Sequence, residues 1–149
     1  MKKALSILLL GTALLTAGCS HRCYDGSCSD AHQPPKAACS HKTPAHFAFD
    51  SALLDTTDKN NLTKVADWMK QNPSEKVHIG GYTDSTGPAA YNLHLSQERA
   101  QNAAHYLESL GISSDRISTH GYGASHFIAS NDTSADRAKN RRIEISFHQ

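Results

Sequence analysis

Two opposite charges bracket a turn in the stretch IGGYTDSTGPAAYNLHLSQER, which runs from Ile79 to Arg99. Asp84 lies just past a short alternating run, and Arg99 follows one helical segment later. A carboxylate and a guanidinium facing one crevice suit a zwitterion, an ammonium beside a carboxylate. A second group of reactive side chains lies near the start. Cys23, Cys28 and Cys39 stand with His21, His32 and His41 in one tract. The spacing C-x4-C-x10-C lacks a C-x2-C pair, so it leaves two readings open. One is a metal site. The other is a disulfide between two of the three cysteines, with the third left for an intermolecular bond. The other histidines, His46, His78, His94, His105, His120, His126 and His148, are scattered without ligand spacing. Catalytic patterns are missing. Gly121-Tyr122-Gly123-Ala124-Ser125 is neither a nucleophile elbow nor a complete dinucleotide loop, and no H-E-x-x-H or H-x-x-E-H run occurs. The chain therefore reads as a binder and not an enzyme, with no cofactor.

The elements that must position Asp84 and Arg99 follow from periodicity. Phe47 to Asp50 is a short alternating run and a first strand, after which Asp50 and Ser51 turn the chain. Thr56, Thr57 and Asp58 open a helix as cap or first-turn residues. Leu62, Val65, Ala66 and Met69 form its apolar face, and Trp68 flanks that face. Asn72-Pro73 ends it. Lys76 to Tyr82 is the second strand, with Gly80 and Gly81 allowing a close approach or a bend. A longer helix spans Pro88 to Leu110, with Leu93, Ala100, Ala103, Ala104, Leu107 and Leu110 inward and Gly111 closing it. Arg116 to His120 is a third strand. Ala135 to Lys139 adds a helical turn. Ile143, Ile145 and Phe147 alternate with polar residues in a last strand. Strands alternating with helices make an α/β (α+β) sandwich, a small mixed sheet with helices on one face. The helical connection allows the second and third strands to be parallel. Asp84 then sits beyond the carboxyl end of a strand, where open α/β sheets bind ligands.

The N-terminus reads as an address. Met1-Lys2-Lys3 precedes an apolar run from Ala4 to Leu15, too short for a membrane span. Leu15-Thr16-Ala17-Gly18-Cys19 resembles the bacterial lipobox, in which the Cys thiol becomes lipidated. The expected division is 1–18 as lipoprotein signal peptide, 19–43 as lipidated Cys19 with a flexible Cys/His-rich tether, and 44–149 as the globular domain. Extended at about 3 Å per residue, the tether reaches on the order of 70 Å. Acyl chains on Cys19 place the protein in a lipid bilayer. Ser20 follows the cysteine, where Asp would favour inner-membrane retention, so the expected location is the outer membrane with the domain facing the periplasm. The formal net charge is +1. Of the 15 basic residues, Lys2 and Lys3 belong to the leader, which leaves 13 against 14 acidic ones. No basic excess remains for nucleic acid.

Phe49-Asp50, the run GYTDSTGPAAYNLHLSQERA, GYGAS and NRRIEISF together resemble the OmpA-like domain, over about Ala45 to the C-terminus. The pattern TD-x2-G-x4-N-x2-LS-x2-RA, followed much later by NRR-x-E, carries the resemblance. It implies a β-α-β-α-β-β domain that binds peptidoglycan noncovalently through stem-peptide diaminopimelate. By that resemblance, Asp84 receives the ammonium and Arg99 the carboxylate. Asn92 adds a polar contact, and Thr86 sits in the turn between. Asp50 and Ser51 belong to the loop whose backbone lines the pocket. Leu95 packs at the pocket edge, and Arg141 is a further anion contact. Ordinary alternatives stand beside these roles. Asp84 would serve as a turn cap, Arg99 as a solvated helix residue paired near Glu98, Asn92 as a helix-start residue, and Arg142 as half of a surface or structural salt bridge. The function implied is tethering of the outer membrane to the cell wall, with other envelope proteins open as partners. The alternative is a metal- or redox-responsive module using the Cys/His tether, with the domain as its wall anchor. Alanine at Asp84 or Arg99 is expected to weaken wall binding without unfolding the domain.

Overall fold

Capping decides where the first long helix begins. Asp55 accepts a hydrogen bond from the Asp58 backbone N–H at 2.7 Å, and the Asp58 carboxylate returns one from the Asp55 N–H at 3.1 Å. This reciprocal box sets α1 at Thr56–Gln71 in the computed structural model of the chain, which describes residues 45–148. Thr56, Thr57 and Asp58 are thus first-turn residues, and the cap is Asp55. The expected signal peptide, the expected lipidation site Cys19, and the expected tether with its cysteines and histidines lie outside the described residues.

The remaining elements are β1 (Ala45–His46), β2 (Lys76–Gly81), α2 (Ala89–Ser109), a 3-10 turn (Ser114–Arg116), β3 (Ile117–Gly121), α3 (Ser134–Asn140) and β4 (Arg142–His148). They build one sheet in the order β1-β4-β2-β3. β2 and β3 run parallel from Val77 opposite Ile117 to Gly81 opposite Gly121. β4 is antiparallel to both its neighbours. The architecture is the small mixed sheet expected, with α3 added before the last strand. Its N-cap is Thr133, which accepts from the Asp136 N–H at 3.1 Å.

The core lies between one face of the sheet and the helices α1 and α2. Leu62, Val65, Ala66 and Met69 meet Val77, Ile79, Ile143, Ile145 and Phe147, all buried. Each large aliphatic side chain placed there contributes roughly 1.5–3 kcal/mol. Trp68 tilts against Phe147 with ring centroids 4.4 Å apart. α2 ends in a Schellman closure. The Ile112 N–H reaches the Leu107 carbonyl at 3.2 Å and the Gly111 N–H reaches Glu108 at 2.9 Å, with Gly111 at φ 91°.

Three expectations shift. The first strand is Ala45–His46 and not Phe47–Asp50. β4 begins at Arg142, so after the Phe47 N–H reaches the Arg141 carbonyl at 2.9 Å no ladder partner remains. The third strand moves one residue on, because the 3-10 turn takes Arg116. Leu93 is 54% exposed and not inward. α2 meets the sheet where β2 and β3 end. A Cβ on Gly81 would lie 1.9 Å from the Ser96 carbonyl oxygen, and one on Gly121 would lie 2.6 Å from the Gln97 nitrogen. Leu93, one turn earlier, has already passed the sheet end.

The face away from the helices is covered by its own side chains. The Arg142 guanidinium lies 4.0 Å from the Tyr82 ring centroid, and Tyr82 stacks on Tyr122 at 5.0 Å. Arg142 is buried, pairs with Glu144 at 2.8 Å and donates to the His126 carbonyl at 2.9 Å. Its salt bridge is therefore structural.

Candidate functional site

Past Gly81 the chain leaves the sheet and folds over the start of α2. The Thr83 N–H bonds the Gly123 carbonyl at 3.0 Å. Asp84 Oδ1 accepts from the Thr86 N–H at 2.8 Å, an Asx turn built by the aspartate's short side chain. Gly87 takes the left-handed φ of 92°, and Pro88 caps α2 with a fixed φ of −67° and no side-chain bond. Asn92 then donates to the Thr86 carbonyl at 3.0 Å and fixes the turn against the helix. On α2, Asn92, Leu95, Ser96 and Arg99 follow i, i+3, i+4, i+7 and are all buried. This polar stripe continues the apolar stripe of Ala100, Ala103, Ala104 and Leu107 toward the N-terminus.

These segments, with the turn after β1 and the start of β4, enclose a cavity of about 410 Å³. That volume is near the lower end for small-ligand sites, roughly 300–1,000 Å³. Of the residues expected from sequence, Asp50, Asp84, Thr86, Asn92, Leu95, Arg99 and Arg141 all line it. Ser51 does not line it. Its carbonyl accepts from Arg99 Nε at 2.8 Å, behind the wall. Phe49, Thr83, Gly87, Pro88 and Tyr91 complete the lining and were not foreseen. Pro88 and Tyr91 fall in the turn and first helical turn between Asp84 and Asn92, which was the available signal. Phe49 stood in the expected first strand, with no site role assigned to it.

The charges are unevenly paired. Arg141 donates from Nη1 to Asp84 Oδ2 at 2.9 Å and from Nε to the Phe47 carbonyl at 3.0 Å. Burial alone would raise the Asp84 carboxyl. The Thr86 N–H and the Arg141 guanidinium outweigh it and hold the group below its usual value. Arg99 is fully buried, so the solvated helix residue is excluded. It donates to the carbonyls of Ser51 at 2.8 Å, Tyr82 at 2.8 Å and Ala48 at 3.4 Å. Its guanidinium lies 4.9 Å from the Phe47 ring centroid. A guanidinium has five N–H groups. Three are used, and one on each terminal nitrogen has no partner among the described residues. No carboxylate there forms a salt bridge with it either. Burial, and then the neighbouring Arg141 charge, push its pKa down to about 10, against the pull of Asp84. It therefore stays charged at neutral pH. A buried cation without a direct counter-ion is costly, and it becomes favourable when an anion enters beside it. The cavity thus offers a fixed carboxylate and an unneutralised guanidinium to one ligand. Among the described residues, no group of three His, Cys, Asp or Glu side chains is placed to hold a metal ion.

A family model described as "OmpA family" matches residues 46–141. A peptidoglycan-binding protein of Mycobacterium tuberculosis, ArfA, is 46% identical over 102 residues, 68% of this chain and 31% of that one. The probable lipoprotein YiaD of Escherichia coli is 44% identical over 105 residues, 69% of this chain and 48% of its own length. The peptidoglycan-associated lipoprotein of Buchnera aphidicola is 34% identical over 102 residues, 68% of this chain and 59% of its own. The chain thus spans less than two thirds of each of these relatives. Among solved structures, the peptidoglycan-associated lipoprotein of Burkholderia pseudomallei is 28% identical at a TM-score of 0.68, covering 70% of this chain and 89% of that one.

Proposed function

The chain belongs to the OmpA family, and on that premise we propose that its domain binds peptidoglycan by gripping the free zwitterionic end of stem-peptide diaminopimelate. The observation that carries the reading is Arg99, a fully buried guanidinium with no salt-bridge partner among the described residues, on the wall of a cavity that also holds Asp84. The ligand carboxylate takes the two unused N–H groups of Arg99, in the paired geometry that a planar guanidinium offers. The ligand ammonium sits against Asp84, whose charge Arg141 and Thr86 maintain. Asn92 and Thr86 hold the turn in place, and Leu95 excludes water at the edge. The names of the mycobacterial and Buchnera relatives support peptidoglycan as the partner. Lysine-type wall lacks the carboxylate that neutralises Arg99, and an unpaired buried group lowers affinity for the wrong residue.

In this reading the complete protein is a tether without enzymatic activity. Lipid on Cys19 anchors it in the outer membrane, residues 19–43 link that anchor to the domain, and the domain holds the wall from the periplasmic side. Sedimentation of the chain from Ser20 onward with purified peptidoglycan tests the binding role. Co-sedimentation with diaminopimelate-type wall and not lysine-type wall is expected. Equal binding to both overturns the assignment of Arg99 to the ligand carboxylate.

A further inference from the structure

The inference rests on the peptidoglycan reading and extends it to a pair of residues at the cavity mouth. Tyr91 comes from the first turn of α2, and Asp50 from the turn after β1. The Tyr91 hydroxyl donates a hydrogen bond to Asp50 Oδ1, so the two segments are joined across the opening. Both residues line the cavity, and both are exposed. Asp50 holds a left-handed backbone with φ 55°, which Asp and Asn tolerate better than other side chains. Its carboxylate thus has a defined place although it lies in a turn.

The two acids of the cavity differ in what remains to them. Each Asp84 oxygen already accepts a bond, one from the Thr86 N–H and one from Arg141. Asp50 accepts from a neutral phenol and forms no salt bridge among the described residues, although its charge, like that of Asp84, favours the Arg99 cation. An ammonium carries three donors and a full charge. Asp84 offers it only the lone pairs that Thr86 and Arg141 leave over, beside a guanidinium that repels it. We propose that Asp50, positioned by Tyr91, is the outer half of a two-carboxylate subsite for the ligand ammonium. Asp84 receives the ammonium from inside and Asp50 receives it from the mouth. Tyr91 is a positioning residue, and the carboxylate it holds also draws cationic groups toward the opening.

The test is a ligand-by-mutant cycle on the chain from Ser20 onward. The probes are meso-diaminopimelate and pimelate, which keeps both carboxylates and lacks both ammonium groups. Asp50→Asn is tolerated at the left-handed position and removes only charge, so it preserves the fold. It is expected to weaken diaminopimelate binding about tenfold, the lower end for a charge-assisted hydrogen bond, while changing pimelate binding less than about twofold. Tyr91→Phe is expected to give a smaller loss for diaminopimelate, and no further loss once Asp50→Asn is present. Equal effects of Asp50→Asn on both probes, or none on either, overturn the proposal. A wild type that binds neither wall nor diaminopimelate overturns the peptidoglycan reading itself and this subsite with it. A wild type that binds with unchanged affinity in Asp50→Asn overturns this subsite alone.

Discussion

Lysine at position 99 keeps the positive charge and removes the fork. The structure gives Arg99 one job and the proposed function a second, so the substitution has two separable costs. The guanidinium holds the carbonyls of Ser51 and Tyr82 at 2.8 Å each and that of Ala48 more loosely at 3.4 Å. A single ammonium cannot meet acceptors that three separate nitrogens now reach. Losing two good bonds at about 1 kcal/mol each destabilises the domain by about 2 kcal/mol. For a domain of this size that lowers the melting temperature by about 8–16 °C. On the ligand side, a planar two-point contact with a carboxylate becomes a point charge. A loss of about 1.5–3 kcal/mol corresponds to roughly 10- to 150-fold weaker binding. Calorimetric titration with meso-diaminopimelate, well below the melting temperature, measures the second cost. A thermal scan measures the first. An Arg99→Lys protein with wild-type melting and affinity within twofold refutes both roles. Lowered melting with full affinity leaves Arg99 as a strut and removes it from the ligand site. The same geometry changes what alanine would do. Arg99→Ala takes a donor from three carbonyls, that of Tyr82 buried, so weakened wall binding comes with lost stability.

Acid acts through Asp84. Its folded pKa lies below its unfolded value, so its contribution is fully present above about pH 4 and is lost as pH falls through the folded value. Diaminopimelate binding is expected to be level from pH 7 to 5 and to fall below pH 4. Asp84→Asn should bind at least about tenfold more weakly at neutral pH. A decline already complete by pH 5.5 would point to histidine control instead. Gly81→Ala places a Cβ 1.9 Å from the Ser96 carbonyl oxygen and is expected to cost about 3 kcal/mol or more, read as a lowered urea midpoint. An unchanged midpoint contradicts the close contact between α2 and the sheet.

Long periodic elements were legible because burial follows from one helix or strand alone. The four apolar residues of α1 and the alternation of Ile143, Ile145 and Phe147 are of this kind. Elements whose limits depend on a partner were not. β1 stops at His46 because β4 starts at Arg142, a fact set nearly a hundred residues away. Leu93 has the apolar character of an inward residue, and only the end of the sheet opposite Ser96 decides its exposure. In the site, Asn92, Leu95 and Arg99 share a helical spacing with the core stripe. The bond from Arg141 to Asp84 spans 57 residues, and nothing local to either residue marks it. Tyr91 was hidden for another reason. An exposed aromatic at a helix start has no periodic signature, and its partner Asp50 lies on another segment.

Charge balance argues for a zwitterion over either single charge. The cavity lining carries Asp84 and Asp50 against Arg99 and Arg141, two of each sign. A cationic side chain such as that of lysine would meet Asp84 or Asp50 and leave Arg99 with an additional like charge nearby. A lone anion would satisfy Arg99 but bring a third negative group toward Asp84 and Asp50. A zwitterion adds one charge of each sign, neutralises Arg99 directly and keeps the balance. Arg99 and Asp84 are both buried, whereas Asp50 is at the mouth. On the proposed function the ligand carboxylate goes to Arg99, and its ammonium, held between Asp84 and Asp50, lies nearer the opening. Such an orientation sends the rest of the stem peptide out past Asp50 and Tyr91. Titration with the two single-charge halves tests it. Pimelate and an alkyl diamine should each bind at least about tenfold more weakly than diaminopimelate, because each leaves one buried charge unmatched. A diamine that matched diaminopimelate would mean that Arg99 contacts no ligand carboxylate.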